Sequence, residues 1–346
     1  MRVGFDLTPL HRPFPAGVVR AVRGTLCALR DRGVVEVVEL IPPADSSPRA
    51  FRRTLPGRVR ELDLVGLHSF TSAYPRRGPG KRVQTVHELP WRHGVDENAD
   101  WAHRWWASLG TRAADRVLVP SEHVARDLAR TAFVRAAKIR VVHWGVDARF
   151  SEEAPPGVVD ETVLPRLTRA EDPFALCVGA TRPKKGLDRL LHGLAALRER
   201  QGPRLQLVVC GEETPDLRRA LGLASKLGLS RWISTPGFVP DEDLPAAYRL
   251  ASVVPVLSRS EGFAFPVLEA LRCGTPVVVP PSSAQAELAG DHGIVVDPDD
   301  PNSVADGLER ALREREQLRW TLPERARAYS WAETARRIER VWSELE

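Results

Sequence analysis

The stretch that decides the fold reads Ser258-Arg-Ser-Glu261-Gly-Phe-Ala-Phe-Pro-Val-Leu-Glu269-Ala-Leu-Arg-Cys-Gly-Thr-Pro-Val277. An apolar run at 252–257 precedes it and reads as a buried strand. The strand enters a loop, and Pro266 then opens a helix near its first turn, where a missing N–H is harmless. The amides of Gly262, Phe263, Ala264 and Phe265 should face outward at the positive end of that helix, a ready site for an anion. Gly262 lets the backbone approach a ligand closely. Glu261 lies in the loop, and Glu269 about one turn inside the helix, so both carboxylates can reach one cleft. Taken alone, such a pair reads as a capping acid and a solvated helix acid; the loop around it argues for a site.

Outward from this stretch, short apolar runs alternate with helical patterns. Strands are expected at 2–5, 34–40, 62–67, 83–87, 116–120 and 139–143, and again at 174–178, 205–210, 252–257, 276–279 and 293–296. Helices are expected at 17–32, 122–130 (with Ser121 as N-cap), 186–200, 215–227, 241–250, 266–273 and 301–315, with a strongly amphipathic one at 327–346. Strand-helix alternation at this spacing predicts parallel sheets. Residues 151–172 contain Pro155-Pro156 and Pro165, show no period and read as a linker. The expected fold class is α/β: two doubly wound Rossmann-like domains with an interdomain cleft. Such sheets bind ligands at the C-terminal ends of their strands.

Length agrees, because 346 residues suit two domains of about 100–200 each. Apolar residues at 43% and charged residues at 27% exclude a disordered or collagen-like chain. A net charge of +5 is mild over this length; it permits an acidic ligand without demanding nucleic acid. Cys27, Cys177, Cys210 and Cys273 form no metal-binding spacing, and Cys177 and Cys210 sit in apolar runs as buried thiols. The N-terminus enters a strand pattern without a secretory segment, and no apolar run reaches the ~18 residues that span a bilayer. A cytoplasmic protein is expected, or one held peripherally at the inner membrane face.

The motifs, taken in order, resemble the retaining GT-B glycosyltransferases of glycosyltransferase family 4. Glu261, seven residues and Glu269, followed by Cys273-Gly-Thr-Pro-Val, are similar to that family's hallmark. Val178-Gly-Ala-Thr-Arg-Pro-Lys-Lys-Gly186 resembles its phosphate-contacting segment, and Gly237-Phe-Val-Pro-Asp-Glu-Asp-Leu244 the loop that touches the nucleotide base. Val119-Pro-Ser-Glu-His-Val124, Lys138-Ile-Arg-Val-Val-His-Trp-Gly-Val-Asp147, Asp297-Pro-Asp-Asp-Pro301 and Ala328-Tyr-Ser-Trp331 extend the resemblance over essentially the whole chain.

The resemblance implies an acceptor-binding N-terminal domain at 1–165 and a nucleotide-sugar-binding domain at 166–326, with helix 327–346 crossing back to the first. It implies transfer of a mannose- or glucose-type hexose from a nucleotide-diphosphate sugar to a saccharide or lipid-linked saccharide acceptor, with neither cofactor nor metal. Lys185 would hold the diphosphate, with Arg182 beside it. Glu269 would bind the ribose hydroxyls and Glu261 the sugar hydroxyls. The amides of 262–265 would hold sugar or phosphate oxygens. Ser258 and Val239 would touch the nucleotide, Gly17 the donor phosphate, and His87, in Thr85-Val-His-Glu-Leu, the reacting sugar. A solvated lysine pair, a tight turn and a structural histidine are the plain readings of the same residues.

Several positions depart from the family pattern. Ala180 stands where many relatives carry arginine, Trp144 where asparagine is usual, and Ala264 replaces a common glycine; a second glycine after Gly17 is lost. These departures sustain an alternative, a catalytically silent GT-B scaffold or saccharide-binding protein. Asp297-Pro-Asp299-Asp300 contains an acidic pair of the metal-binding kind, but Asp300 before Pro301 reads as an N-cap. Trp91, Arg92, His93, Trp101, Arg104, Trp105 and Trp106 form an aromatic-basic cluster that reads as core packing, an acceptor rim or a membrane-facing patch. No nucleic-acid-binding motif appears.

Overall fold

The structure is a computed structural model, and it describes residues 1–71, 73–97, 100–131, 134–156, 160–168 and 172–346. Of the expected linker, 157–159 and 169–171 lie outside the described residues. The chain forms two units, Met1–Gly145 with Tyr329–Glu346, and Val146–Ala328.

In the first unit, β1 (Arg2–Asp6), β2 (Glu36–Leu40), β3 (Gly66–Ser69), β4 (Lys81–Thr85), β5 (Arg116–Val119) and β6 (Ile139–Val141) form one parallel sheet in the order β2-β1-β3-β4-β5-β6. Helices α1 (Thr8–His11), α2 (Ala16–Arg32), α3 (Pro48–Glu61), α4 (Trp101–Ala107) and α5 (Glu122–Ala129) intervene. The expected strand at 62–67 begins later, at Gly66. Helix α3, which the sequence reading does not contain, occupies the preceding chain, and Leu62 is its C-cap. Two prolines obscure it: Pro48, harmless in the first turn after the Ser47 cap, and Pro56 in the helix interior. Its apolar face (Phe51, Leu55, Val59) nevertheless packs against Leu40 and Leu67.

In the second unit, α6 (Leu164–Leu167) leads into β7 (Phe174–Val178), α7 (Leu187–Glu199), β8 (Gln206–Cys210), α8 (Pro215–Lys226), β9 (Ile233–Gly237), α9 (Leu244–Leu250), β10 (Val254–Pro255), α10 (Phe265–Arg272), β11 (Val277–Val279), α11 (Ala284–Ala289), β12 (Ile294–Val295), α12 (Pro301–Leu318) and α13 (Leu322–Arg327). The strands run β7-β8-β9 and β10-β11-β12. A parallel bridge from Ala175 to Val253, with Leu176 N donating to Val253 O (2.9 Å), joins β7 to the strand entering β10. The effective order is therefore 9-8-7-10-11-12, with its topological switch between β7 and β10. β9 is absent from the sequence reading; it carries Pro236 and Gly237, residues tolerated at the edge position it occupies. Residues 146–156 and 160–165, grouped with the first domain in the sequence reading, cluster with this unit. Arg249 holds them there: its guanidinium donates to both Asp160 carboxylate oxygens (2.6 and 2.7 Å) and to Ser151 O (3.1 Å).

The last helix, α14 (Trp331–Ser343), belongs to the first unit. It is separate from α13, because Ser330 caps it by accepting from Glu333 N (3.2 Å). It packs on α2: a Cβ at Gly24 would lie 2.4 Å from the Trp331 ring, and one at Gly145 2.2 Å from Trp331 N. Arg32 forks onto both Glu339 carboxylate oxygens, Glu344 meets Arg116 and Arg140, and the Thr334 hydroxyl donates to His143 O (2.8 Å). No helix among the described residues is long and apolar enough to cross a membrane.

Candidate active site

At the switch point of the second unit, β7 is followed by Gly179, whose φ of +107° lies in the left-handed region that favours glycine. The chain then passes exposed Ala180 and makes a 3-10 turn at Pro183–Lys185, closed by Gly186 at φ +71°. A Cβ at Gly186 would lie 2.3 Å from Leu257 O, so only glycine lets this turn lie flush against the end of the β10 segment. Arg259 N donates to Lys184 O (2.7 Å), tying the two loops together.

That apposition sets the Lys185 ammonium 2.6 Å from Glu261 Oε1. Glu261 is nearly buried (9% exposed) and Lys185 partly so (38%). Burial by itself pushes the Glu261 carboxyl up. The charges of Lys185 and Lys184, with hydrogen bonds from Lys185 and Ser258, outweigh it and hold the group below the usual glutamate range. Glu261 is therefore an ionised acceptor at neutral pH. Gln285 Nε2 donates to Ser258 O (3.0 Å) and braces the loop. Arg182 is half-buried nearby; its carbonyl accepts from Lys185 N (2.9 Å), and its guanidinium has no ion pair or hydrogen bond among the described residues.

The same loop runs into α10. Pro266 sits in its first turn, and no side chain caps its N-terminus among the described residues. The amides of the 262–265 segment thus lie at the positive helix end beside the Lys185–Glu261 pair. Gly179, Thr181, Lys185, Gly186, Ser258 and Glu261 line a cavity of about 60 Å³ here. It is a small notch whose lining is mostly apolar, with Lys185, Ser258 and Glu261 among its polar groups. A larger depression, about 570 Å³, lies in the first unit among Lys81, Arg82, Asp115 and Glu346. It sits at strand starts, the edge doubly wound sheets do not use for ligands.

Glu269 is not the solvated helix acid of the plain sequence reading. It is buried in α10, its Oε2 accepts from the Tyr248 hydroxyl (2.6 Å), and the described lining of the notch does not include it. Tyr248 comes from α9 and is itself fully buried, with Thr275 donating to its carbonyl (2.6 Å). Nothing in the spacing of the sequence announces this tyrosine. Val239, after Gly237 (φ +84°), is buried, whereas its neighbour Phe238 is exposed, a ring absent from the sequence reading of the site.

In the first unit, Gly17 is exposed in the first turn of α2, whose N-terminus has no side-chain cap among the described residues. His87 follows β4, with its ring 2.9 Å from Phe70 O. Burial drives its pKa down to about 4, the Phe70 carbonyl opposing and His103 assisting. The neutral ring must donate through Nε2, because a carbonyl only accepts; Nδ1 is left as an acceptor. Behind it His68, which sequence reasoning does not find, is fully buried; burial, with His87 assisting, lowers its pKa to about 3.

Asp300 caps α12 as expected, accepting from Asn302 N (2.9 Å), and Asp299 is held by Arg189. Within the aromatic-basic cluster, Trp91 and Trp106 pack against the core, Arg76 lies over Trp105, and Trp101 stands 79% exposed. Cys210 is buried as expected and Cys177 half-buried; burial pushes both thiols up to about 12.

The site thus sets a lysine-paired carboxylate beside a helix N-terminus at the switch point of a doubly wound sheet, the edge at which such sheets bind ligands. Comparison with known proteins gives the family. Residues 161–329 match the model of glycosyl transferases group 1, and residues 11–150 that of Glycosyltransferase Family 4. The chain belongs to this family. It is 32% identical over 248 residues to the D-inositol 3-phosphate glycosyltransferase of Corynebacterium jeikeium, an alignment covering 67% of this chain and 58% of that relative. The chain thus spans less than two thirds of that curated relative. Among solved structures it resembles the sucrose-phosphate synthase of Thermosynechococcus elongatus (TM-score 0.82, 20% identity, 100% of this chain and 99% of that one). It also resembles Anabaena HepE in complex with UDP and glucose (TM-score 0.76, 16% identity, 99% and 100%). These likenesses show the GT-B fold.

Proposed function

We propose that the chain is a retaining hexosyltransferase. It moves a mannose- or glucose-type sugar from a nucleotide-diphosphate donor to a hydroxyl acceptor, in the synthesis of a cell-surface polysaccharide or glycoconjugate. The observation that carries this reading is the Lys185–Glu261 pair beside the N-terminus of α10, which no side chain caps among the described residues. A leaving nucleoside diphosphate gains negative charge as the glycosidic bond breaks. Cations and oriented amides already in place stabilise it most. Lys185 and Arg182 would take the diphosphate, with the 262–265 amides and the first turn of α2 at Gly17 as further donors. These groups supply what a metal would, so the transfer needs none.

Glu261, ionised and acceptor-only, suits the donor sugar's hydroxyls. Glu269 would take the ribose hydroxyls, exchanging or sharing its bond from Tyr248. Ser258, Val239 and exposed Phe238 are assigned to the nucleotide. His87 Nδ1 would accept from a sugar hydroxyl, and the leaving phosphate would take the acceptor's proton on the same face. UDP and glucose, bound by HepE, make UDP-sugars the first donors to try. A lipid-linked acceptor and a peripheral membrane contact through Trp101 and Arg104 complete the proposal.

Turnover of UDP-, GDP- and ADP-sugars with saccharide acceptors tests it, read as nucleoside diphosphate released and as the anomeric configuration of the product. Release with retained configuration is expected. Saccharide binding without release from any donor would mark a silent scaffold instead.

A further inference from the structure

In the sequence reading His93 stands only within the aromatic-basic cluster, and His123 and Asp127 are assigned to no site. The fold brings the three together. β4 and β5 are parallel neighbours, so the segments leaving their C-terminal ends lie side by side at one edge of the sheet. After β4 comes a 3-10 turn at Pro90–His93, closed by Gly94 at φ +67°. After β5, Ser121 caps α5 by accepting from Val124 N (3.2 Å). His123 and Asp127 stand four residues apart on one face of that helix. His93 Nε2 lies 2.5 Å from Asp127 Oδ2 and His123 Nε2 3.8 Å from the same oxygen. The two imidazoles stack at 5.0 Å and 26°. The three candidate ligand atoms all fall within 4.8 Å of one another.

We propose that His93, His123 and Asp127 form a binding site for a divalent transition metal of the zinc class. Donors around a tetrahedral zinc with bonds of about 2.0–2.2 Å lie roughly 3.3 Å apart; His123 Nε2 at 3.8 Å from Asp127 is near that spacing, and the 2.5 Å His93–Asp127 hydrogen bond is the contact a metal would replace, parting its two atoms by under about 1 Å. Two imidazoles and one carboxylate suit zinc, cobalt or nickel, whereas magnesium and calcium call for oxygen donors throughout. The exposures of the side chains (26% for His93, 11% for His123, 8% for Asp127) leave an approach on the His93 side, where water completes the coordination. Asp127 is thereby matched with two neutral imidazoles and one cation. The site joins the turn after β4 to the helix after β5 and acts as a clamp. It uses none of the residues assigned to the proposed transfer, and its test reads metal binding alone, so the two are decided separately.

The test titrates Co²⁺ into purified, chelator-treated full-length protein and follows the visible absorption of tetrahedral cobalt. A parallel titration of Zn²⁺ competes with a chromophoric chelator. One equivalent is expected to bind, with the cobalt bands, and to raise the melting temperature. His93→Ala, Asp127→Asn and His123→Gln should each weaken binding by more than the roughly 10–100-fold that outer-shell groups cost. His11→Ala, at an exposed histidine elsewhere, should leave it unchanged. Far-UV circular dichroism checks that each variant is folded, and should Asp127→Asn fail to fold, His123→Gln decides. A wild-type protein that gives no tetrahedral cobalt spectrum, or folded variants that bind like wild type, would overturn the site and leave a hydrogen-bonded side-chain cluster.

Discussion

Lys185 and Glu261, 76 positions apart in the sequence, meet at 2.6 Å because their loops leave the two strands that flank the topological switch. The contact rests on Gly186, whose backbone lies against Leu257 O. Gly186→Ala would need both a left-handed φ and room for a Cβ 2.3 Å from that oxygen. We expect a loss of about 1–3 kcal/mol in stability and a larger loss in donor affinity, because the lysine turn must lift away. Denaturant melts and nucleotide titration check the two separately.

Glu269 and Lys185 are assigned opposite ends of the donor. Glu269→Ala and Lys185→Ala should each cut turnover by about 100-fold or more, the cost of removing a preorganised stabilising group. Tyr248→Phe is a subtler variant: it removes one hydrogen-bond donor to a buried carboxylate, at about 1–3 kcal/mol of stability. Steady-state kinetics on the first two and thermal melts on the third are the measurements. Near-normal rates for both alanine variants would remove the site assignment.

The pH dependence stems from His87. Its folded pKa, about 4, lies below its ordinary 6.5. Between those values the unfolded chain binds more protons, so stability falls as pH drops from about 6.5 to 4. His68, lowered to about 3, adds in the same direction and extends the window downward. His87→Asn should therefore show a shallower decline of melting temperature over that range than wild type. Equal slopes would contradict the buried neutral imidazole.

The closing helix offers a packing test. Gly24→Ala places a methyl group 2.4 Å from the Trp331 ring, and overpacking of this kind costs about 1–3 kcal/mol. The melting temperature should fall and the tryptophan fluorescence should shift. An unchanged melting temperature would show that α14 is not held on α2 as described.

Much of this is legible in the sequence. The C-terminal half announces its strands as continuous apolar runs, and the Glu261–Glu269 run with Lys185 locates the notch. The hidden parts have physical causes. Helix α3 carries Pro56 in its interior, which breaks the usual helical signature. β9 is a half-exposed edge strand with proline and glycine, so it lacks the apolar run of its neighbours. The bond from Tyr248 to Glu269 and the His93–Asp127 contact span distant segments; no local period encodes them. His123 and Asp127 do leave a local signal, four residues apart on a well-capped helix, but it gains meaning only once His93 is beside them.

The most direct measurement is a calorimetric titration of UDP, GDP and ADP into the wild-type protein and into folded Lys185→Ala. The account predicts that at least one nucleoside diphosphate binds the wild type and that the alanine variant loses at least about tenfold, about 1.4 kcal/mol. Equal affinity in the two proteins, or no binding of any of the three to the wild type, would contradict it.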